Sequence, residues 1–82
     1  MTYEELFEYV DAEPFRSFRI QMVSGRTFDV RHPEMIRVGA NSVVVFQYLE
    51  QDERVYEKFM MLGLNLIESI EHVDSPVSQD QD

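Results

Sequence analysis

Between Phe18 and Val30 the chain reads FRIQMVSGRTFDV, and this run leaves few folds open. Phe18, Ile20 and Met22 alternate with Arg19, Gln21 and Val23, the period of two that marks a half-buried strand. Ser24-Gly25 supplies a tight turn, the glycine accepting a positive φ. Phe28, Val30 and His32 then alternate with Thr27, Asp29 and Arg31. The pattern predicts an antiparallel hairpin with aromatic and aliphatic groups on one face and guanidiniums on the other. On the wet face Arg19 and Asp29, or Arg31 and Gln21, are placed to meet. Exposed pairs of that kind contribute about 0–1 kcal/mol and indicate solvent more than function.

The apolar face of such a hairpin needs a cover, and the N-terminus offers one. Thr2 and Glu5 have capping-box spacing. Tyr3, Leu6, Phe7 and Val10 follow at i, i+3, i+4 and i+7, a single apolar stripe. Glu4 and Glu5 stand at the positive end of the helix dipole. Pro14 disfavours the helical conformation for Glu13, so the helix ends by about residue 12. A helix this short is unstable alone and must dock on the sheet.

The rest of the chain reads mostly as strand. Strand one is expected to start near Phe15. His32-Pro33 ends the hairpin ladder, because proline cannot donate to it, and Met35 to Val38 resume as a continuing or bent strand. Gly39-Ala40-Asn41 is a turn. Ser42 to Leu49, SVVVFQYL, is β-branched and aromatic, and its lack of alternation predicts burial on both faces. Glu50 to Glu53 is a charged turn. Residues 54–73 fit two readings. As a helix, Val55, Phe59, Leu62, Leu66, Ile70 and Val73 form a stripe. As two strands, the run breaks at Gly63 to Asn65, where a mid-helix glycine would cost about 1 kcal/mol relative to alanine. Residues 74–82 are polar and acidic, and are expected to be a disordered tail after a single domain spanning residues 1–73.

Charge and composition exclude more than they assign. The net charge is −9 over 82 residues. Residues 1–13 carry five acids and no base, residues 14–49 net +3 through five arginines, and residues 50–82 net −7. An acidic chain repels a phosphate backbone, which disfavours non-specific nucleic-acid binding and leaves only the arginine-bearing middle as an exception. Without cysteine there is neither a disulfide framework nor a thiolate metal site, which suits a reducing cytoplasm. The acidic N-terminus does not read as a signal peptide. No apolar run approaches the roughly 18 residues of a membrane span.

The segments Glu13-Pro-Phe-Arg-Ser-Phe-Arg-Ile20, Ser24-Gly-Arg26 and Val30-Arg-His-Pro-Glu34 together resemble a group of short bacterial proteins with a PFxPFxI…GRxxxVxHPE core. Ser17 stands where that group often has proline. The likeness runs from residue 2 to 72, implies strands for residues 54–73 and brings no activity. The order of one short helix and about five strands is also similar to the Sm-like barrel. Asn65-Leu-Ile-Glu-Ser-Ile70 resembles the final strand of the bacterial Sm-like RNA chaperones. That resemblance implies rings built by strand pairing between neighbours and RNA held at the pore. The chain departs from it around Gly63, which has no adjacent Arg or Lys, and at Asn65, where a histidine would be needed. The expected fold is therefore mainly β (α+β): a short helix on a five-stranded, strongly bent antiparallel sheet or a small Sm-like or SH3-like barrel.

No Ser/His/Asp set, phosphate-binding glycine loop or paired-carboxylate motif is present, so no enzyme, catalytic residue, metal or cofactor is predicted. His32 and Glu34 flank Pro33 and read either as an acid/base pair or half a metal site, or simply as a solvated strand end. A metal would need three or four ligands, and the other histidine is His72. Arg31, His32 and Glu34, with Arg19 and Arg37, are the binding candidates. Arginines interleaved with Phe15, Phe18 and Phe28 suggest base stacking, but strand parity turns the rings inward and the guanidiniums away. Met60, Met61, Leu62, Leu64 and Leu66 are dense enough for an oligomer interface or a strand buried on two sides. The expected function is a small non-enzymatic interaction module that binds a protein partner or pairs with itself through strand edges. The alternative is an Sm-like RNA-binding protein using the arginine-rich middle strands.

Overall fold

The computed structural model describes residues 1–73; the tail expected at residues 74–82 lies outside the described residues. One helix, α1 (Tyr3–Val10), precedes six strands: β1 (Phe18–Met22), β2 (Thr27–Val30), β3 (Ile36–Val38), β4 (Ser42–Tyr48), β5 (Tyr56–Gly63) and β6 (Ile67–His72). They form two three-stranded sheets, in the orders β2-β1-β6 and β3-β4-β5. Every recorded pairing is antiparallel. The chain is thus mainly β with one short helix, as expected. It has six strands rather than five, and two sheets rather than one bent sheet or a closed barrel. The extra break lies at Pro33, which begins a short 3₁₀ turn, Pro33–Met35, between β2 and β3.

The hairpin parity holds. Phe18, Ile20, Val30 and Phe28 are buried, while Arg19 and Gln21 between them are partly exposed. Gly25 takes a φ of 95° in the turn, where an L side chain would be strained. Strand one begins at Phe18 rather than near Phe15. Phe15 instead packs its ring against Phe18, 5.9 Å between centroids. The register sets Arg19 opposite Asp29 and Gln21 opposite Thr27, so Gln21 does not face Arg31.

Residues 54–73 are strands. Gly63 is extended (φ −76°, ψ 132°), a short 3₁₀ turn follows at Leu64–Leu66, and β6 pairs with β1. In β4, Val43 and Val45 are buried while Val44 and Phe46 are half-buried. Core covers one face of that strand; the other face is half-buried, and among the described residues no helix covers it, so the expected burial on both faces is not met within the chain.

The capping box is present: Thr2 Oγ1 accepts from the Glu5 N–H at 3.1 Å, and a Glu5 carboxylate oxygen accepts from the Thr2 N–H at 2.9 Å. The helix is rolled relative to the expected stripe. Leu6 is fully buried, whereas Tyr3 and Phe7 are exposed. Tyr9 reaches inward, its ring 5.5 Å from that of Phe18. Leu6, Tyr9 and Val10 thus face the core, again at i, i+3 and i+4. Both sheets contribute to one core, with Met22, Ile36, Leu62, Leu64 and Ile67 joining the residues already named. No helix among the described residues is long and apolar enough to cross a membrane.

Leu6 is the peg by which α1 is fixed. Leu6→Ala is expected to lower unfolding free energy by about 2–5 kcal/mol, most of the roughly 5 kcal/mol available to a chain this size. Phe7→Ala should cost well under half as much. Urea titration followed by circular dichroism checks the contrast; equal losses at the two positions would contradict the roll of the helix.

Candidate functional site

The 3₁₀ turn that ends β2 opens a cleft of about 710 Å³. Its position follows from the hydrogen-bond parity of the two sheets. The Met22 N–H donates to the Arg26 carbonyl at 2.9 Å. Antiparallel pairs alternate, so Ile20–Phe28 and Phe18–Val30 exchange bonds in the same way. Thr27 and Asp29 between them turn their N–H and C=O groups away from β1, along the outer edge of the sheet.

The opposite wall is the far half of β4. β3 pairs only with Val43, Val44 and Val45. On the β5 side, the Leu64 N–H bonds the Asn41 carbonyl at 3.0 Å, which by the same alternation gives the odd residues of β4 to β5. Tyr48 therefore directs its backbone groups to the side where β3 has ended, whereas the register places the backbone groups of Phe46 opposite Met35. The free outer edge of β2 and the Tyr48 end of β4 flank one gap. The Tyr48 hydroxyl donates to the Glu34 carbonyl at 3.1 Å and ties the far wall to the turn.

Four of the five candidate residues meet in this cleft. Arg19, Arg31, His32 and Glu34 all line it, together with Thr27, Asp29, Gln47, Tyr48 and Leu49. Arg37 does not. It lies on β3 opposite Val44, and its Nη1 donates to the Ile36 carbonyl at 2.9 Å. The residues that sequence reasoning passed over are the acids of the far wall: Glu50, Glu53 and Glu57 also face the cleft. The first two were read only as part of a charged turn, and nothing local marks that this turn comes to lie opposite β2.

Arg19 is committed to Asp29 by a two-pronged contact, Nε to Oδ1 at 2.7 Å and Nη2 to Oδ2 at 3.2 Å. The hydrogen bond from Arg19 holds the Asp29 carboxyl below its ordinary value against the opposing effect of burial, with Arg31 adding a smaller pull. The same bond raises Arg19. With that pair matched, the cleft keeps Glu34, Glu50, Glu53 and Glu57 against Arg31 and His32. Its field is negative. His32 and Glu34 are both exposed, and neither side chain is held by a hydrogen bond to another described residue. A fixed proton-transfer pair is not assembled. Among the described residues no group of three His, Asp or Glu side chains is placed to hold a metal ion. His72 is elsewhere, paired with Phe18 across the ladder, its ring 5.4 Å from Tyr9.

The guanidiniums do not form one stripe. Arg26 sits over the Phe28 ring at 5.1 Å, Arg19 is matched, Arg31 faces the cleft and Arg37 is on β3. A second surface is more concentrated. On the outer face of β4 and β5, Phe46 contacts Tyr48, Tyr56 and Phe59 at 6.5, 5.5 and 6.1 Å between ring centroids. Tyr56, Phe59 and Met61 are each more than half exposed.

Comparison of the chain with protein-family models, with curated proteins and with solved structures finds no match.

The lowered carboxyl of Asp29 makes a signed prediction. A carboxyl whose folded value lies below its unfolded one stabilises above the unfolded value, near 3.9, and that stability is lost as pH falls through the folded value. Asp29→Asn should therefore be less stable than wild type at neutral pH, by on the order of 0.5 kcal/mol for a partly exposed pair. The gap should close as pH drops below about 4. Thermal melts across an acid series measure it; a gap unchanged down to pH 2 would contradict the pairing.

Proposed function

We propose that the protein is a small non-enzymatic interaction module of the cytoplasm that pairs with a second copy of itself through β5. The observation that carries this reading is the aromatic face on an edge strand. β5 is the longest strand and ends its sheet. It presents Tyr56, Phe59 and Met61 beside an unpaired backbone edge. Half-exposed aromatic rings of roughly 200 Å² each, with Met61, leave on the order of 400 Å² of contiguous apolar surface, the range in which a patch is commonly functional.

The strand is complementary to itself. The alternation that gives Leu62, Met60 and Lys58 to β4 turns the backbone groups of Phe59 and Met61 to the free edge. An antiparallel pairing centred on Met60 sets Phe59 opposite Met61 of the second copy, twice. Each such pair places sulfur against an aromatic ring, and both pairs exchange backbone hydrogen bonds. Lys58 then faces Leu62 rather than its own copy. A two-fold arrangement of this kind joins two three-stranded sheets into one continuous sheet. The resemblance of the sequence to Sm-like proteins, which assemble by strand pairing, favours the same reading. The dispersed guanidiniums and the negative cleft give the RNA-binding alternative no comparable surface.

Light scattering coupled to size exclusion tests the proposal. Wild type should run at about twice the 9.7 kDa chain mass at high micromolar concentration. Met61→Lys should run as a monomer, because it places a charge on the paired edge. Met61→Pro should do the same without breaking a bond to β4, since the Met61 N–H points away from that strand. A wild-type protein that stays monomeric at millimolar concentration would overturn the proposal.

A further inference from the structure

The cleft meets the aromatic face at Tyr48, but its chemistry is different. We infer that it takes an extended, basic segment of another protein, added as a strand to the free edge of β2. Three observations converge on this.

The first is the backbone. Thr27 and Asp29 turn their N–H and C=O groups into an open gap, and Tyr48 does so from the other wall. Unpaired strand edges are templates for pairing with another chain. Here a single inserted strand meets an edge on each side.

The second is size. A strand in a packed sheet occupies about 4.8 Å by 10 Å in section and rises about 3.3 Å per residue. At that packing, 710 Å³ takes about four residues, and β2 is four residues long. The inserted segment matches β2 in length.

The third is charge. After the Arg19–Asp29 contact, the lining retains four glutamates against Arg31 and His32. Glu50, Glu53 and Glu57 stand on the far wall and Glu34 at the turn, so the negative charge is concentrated opposite β2. Lysine or arginine on alternate residues of an extended segment meets them, while apolar residues between lie toward Met35 and Leu49, which also line the cleft. This selects against the two occupants closest at hand. The chain's own residues 74–82 carry three acids and no base. A second copy brings a net charge of −9. The fit is to a partner of opposite charge.

The test uses the full chain labelled with ¹⁵N and a short blocked peptide that alternates lysine with valine. Two control peptides accompany it: one with glutamate in place of lysine, and one N-methylated at alternate residues so that it cannot pair along a strand edge. The inference expects the lysine peptide to bind, to shift and slow the exchange of the Thr27, Asp29 and Tyr48 amides, and to bind several-fold more weakly at high salt. The glutamate and N-methylated peptides should not bind. Glu53→Lys with Glu57→Lys should weaken binding about tenfold or more, and circular dichroism of that variant should match wild type. The inference is overturned if the lysine peptide fails to bind at millimolar concentration, if the shifts fall on β5, if the N-methylated peptide binds equally, or if the glutamate peptide does. The same titration on Met61→Lys separates this site from self-pairing: loss of dimer with retained peptide binding is expected, and joint loss would place both events on β5 and overturn the cleft.

Discussion

Pro33 has no N–H to give to a ladder and holds φ near −65°. A strand that entered it from β2 would have continued alongside β4, since β3 resumes in register with Val43 to Val45. Instead the chain turns through Pro33–Met35, and the pairing is lost where residues 33–34 would otherwise have met the end of β4. The cleft opens beside that missing seam, between the outer edge of β2 and the Tyr48 end of β4. Tyr48, bonded to the Glu34 carbonyl, shows how the far wall is still anchored to the turn across the gap.

The core tolerates this opening because it is built from both sheets at a distance from the turn. Phe18 touches Phe15 and Tyr9 and is fully buried with Leu6, Ile20 and Val30. The Met22 and Leu62 ends of the strands close the opposite side. The Leu64 N–H to Asn41 and the Val23 N–H to Leu66 stitch the second 3₁₀ turn to both sheets. The two sheets are therefore tied where β5 passes into β6 and separate where β2 passes into β3. The cleft lies at the separated end, where the outer backbone groups of β2 are free.

Phe18 to Val30 was legible because one period-2 pattern decides both the strand and its buried face. Pro33 was legible as the end of a ladder. What that break does to the far half of β4 was not, because the consequence is non-local: it depends on which residues of β4 the resumed strand reaches. The same limit applies to Glu50, Glu53 and Glu57, whose sequence context says only that they are solvated. Residues 54–73 carry helix-forming residues with helical spacing, yet they pair as strands. Tertiary pairing with β4 and β1 outweighs propensity differences that amount to tenths of a kcal/mol per residue. Arg37 was grouped with Arg31 by composition alone; the turn at Pro33–Met35 separates the two, leaving Arg31 just past the end of β2 and Arg37 on β3.

The acidic charge of the chain acts on its two open edges in opposite senses. On β5 it works against association, since two copies each of net −9 repel before their apolar faces touch. That repulsion is long-ranged and is screened beyond about 8 Å at physiological ionic strength, whereas the contact between Phe59 and Met61 is short-ranged and indifferent to salt. Added salt therefore favours the β5 pairing. For the basic segment proposed for the cleft the same charge is attractive, and added salt would remove that attraction while leaving only a short run of backbone bonds. Under the two proposals, one acidic surface holds back self-pairing at low ionic strength and favours an opposite partner under the same conditions. The two surfaces are distinguished less by shape than by the sign of their response to screening.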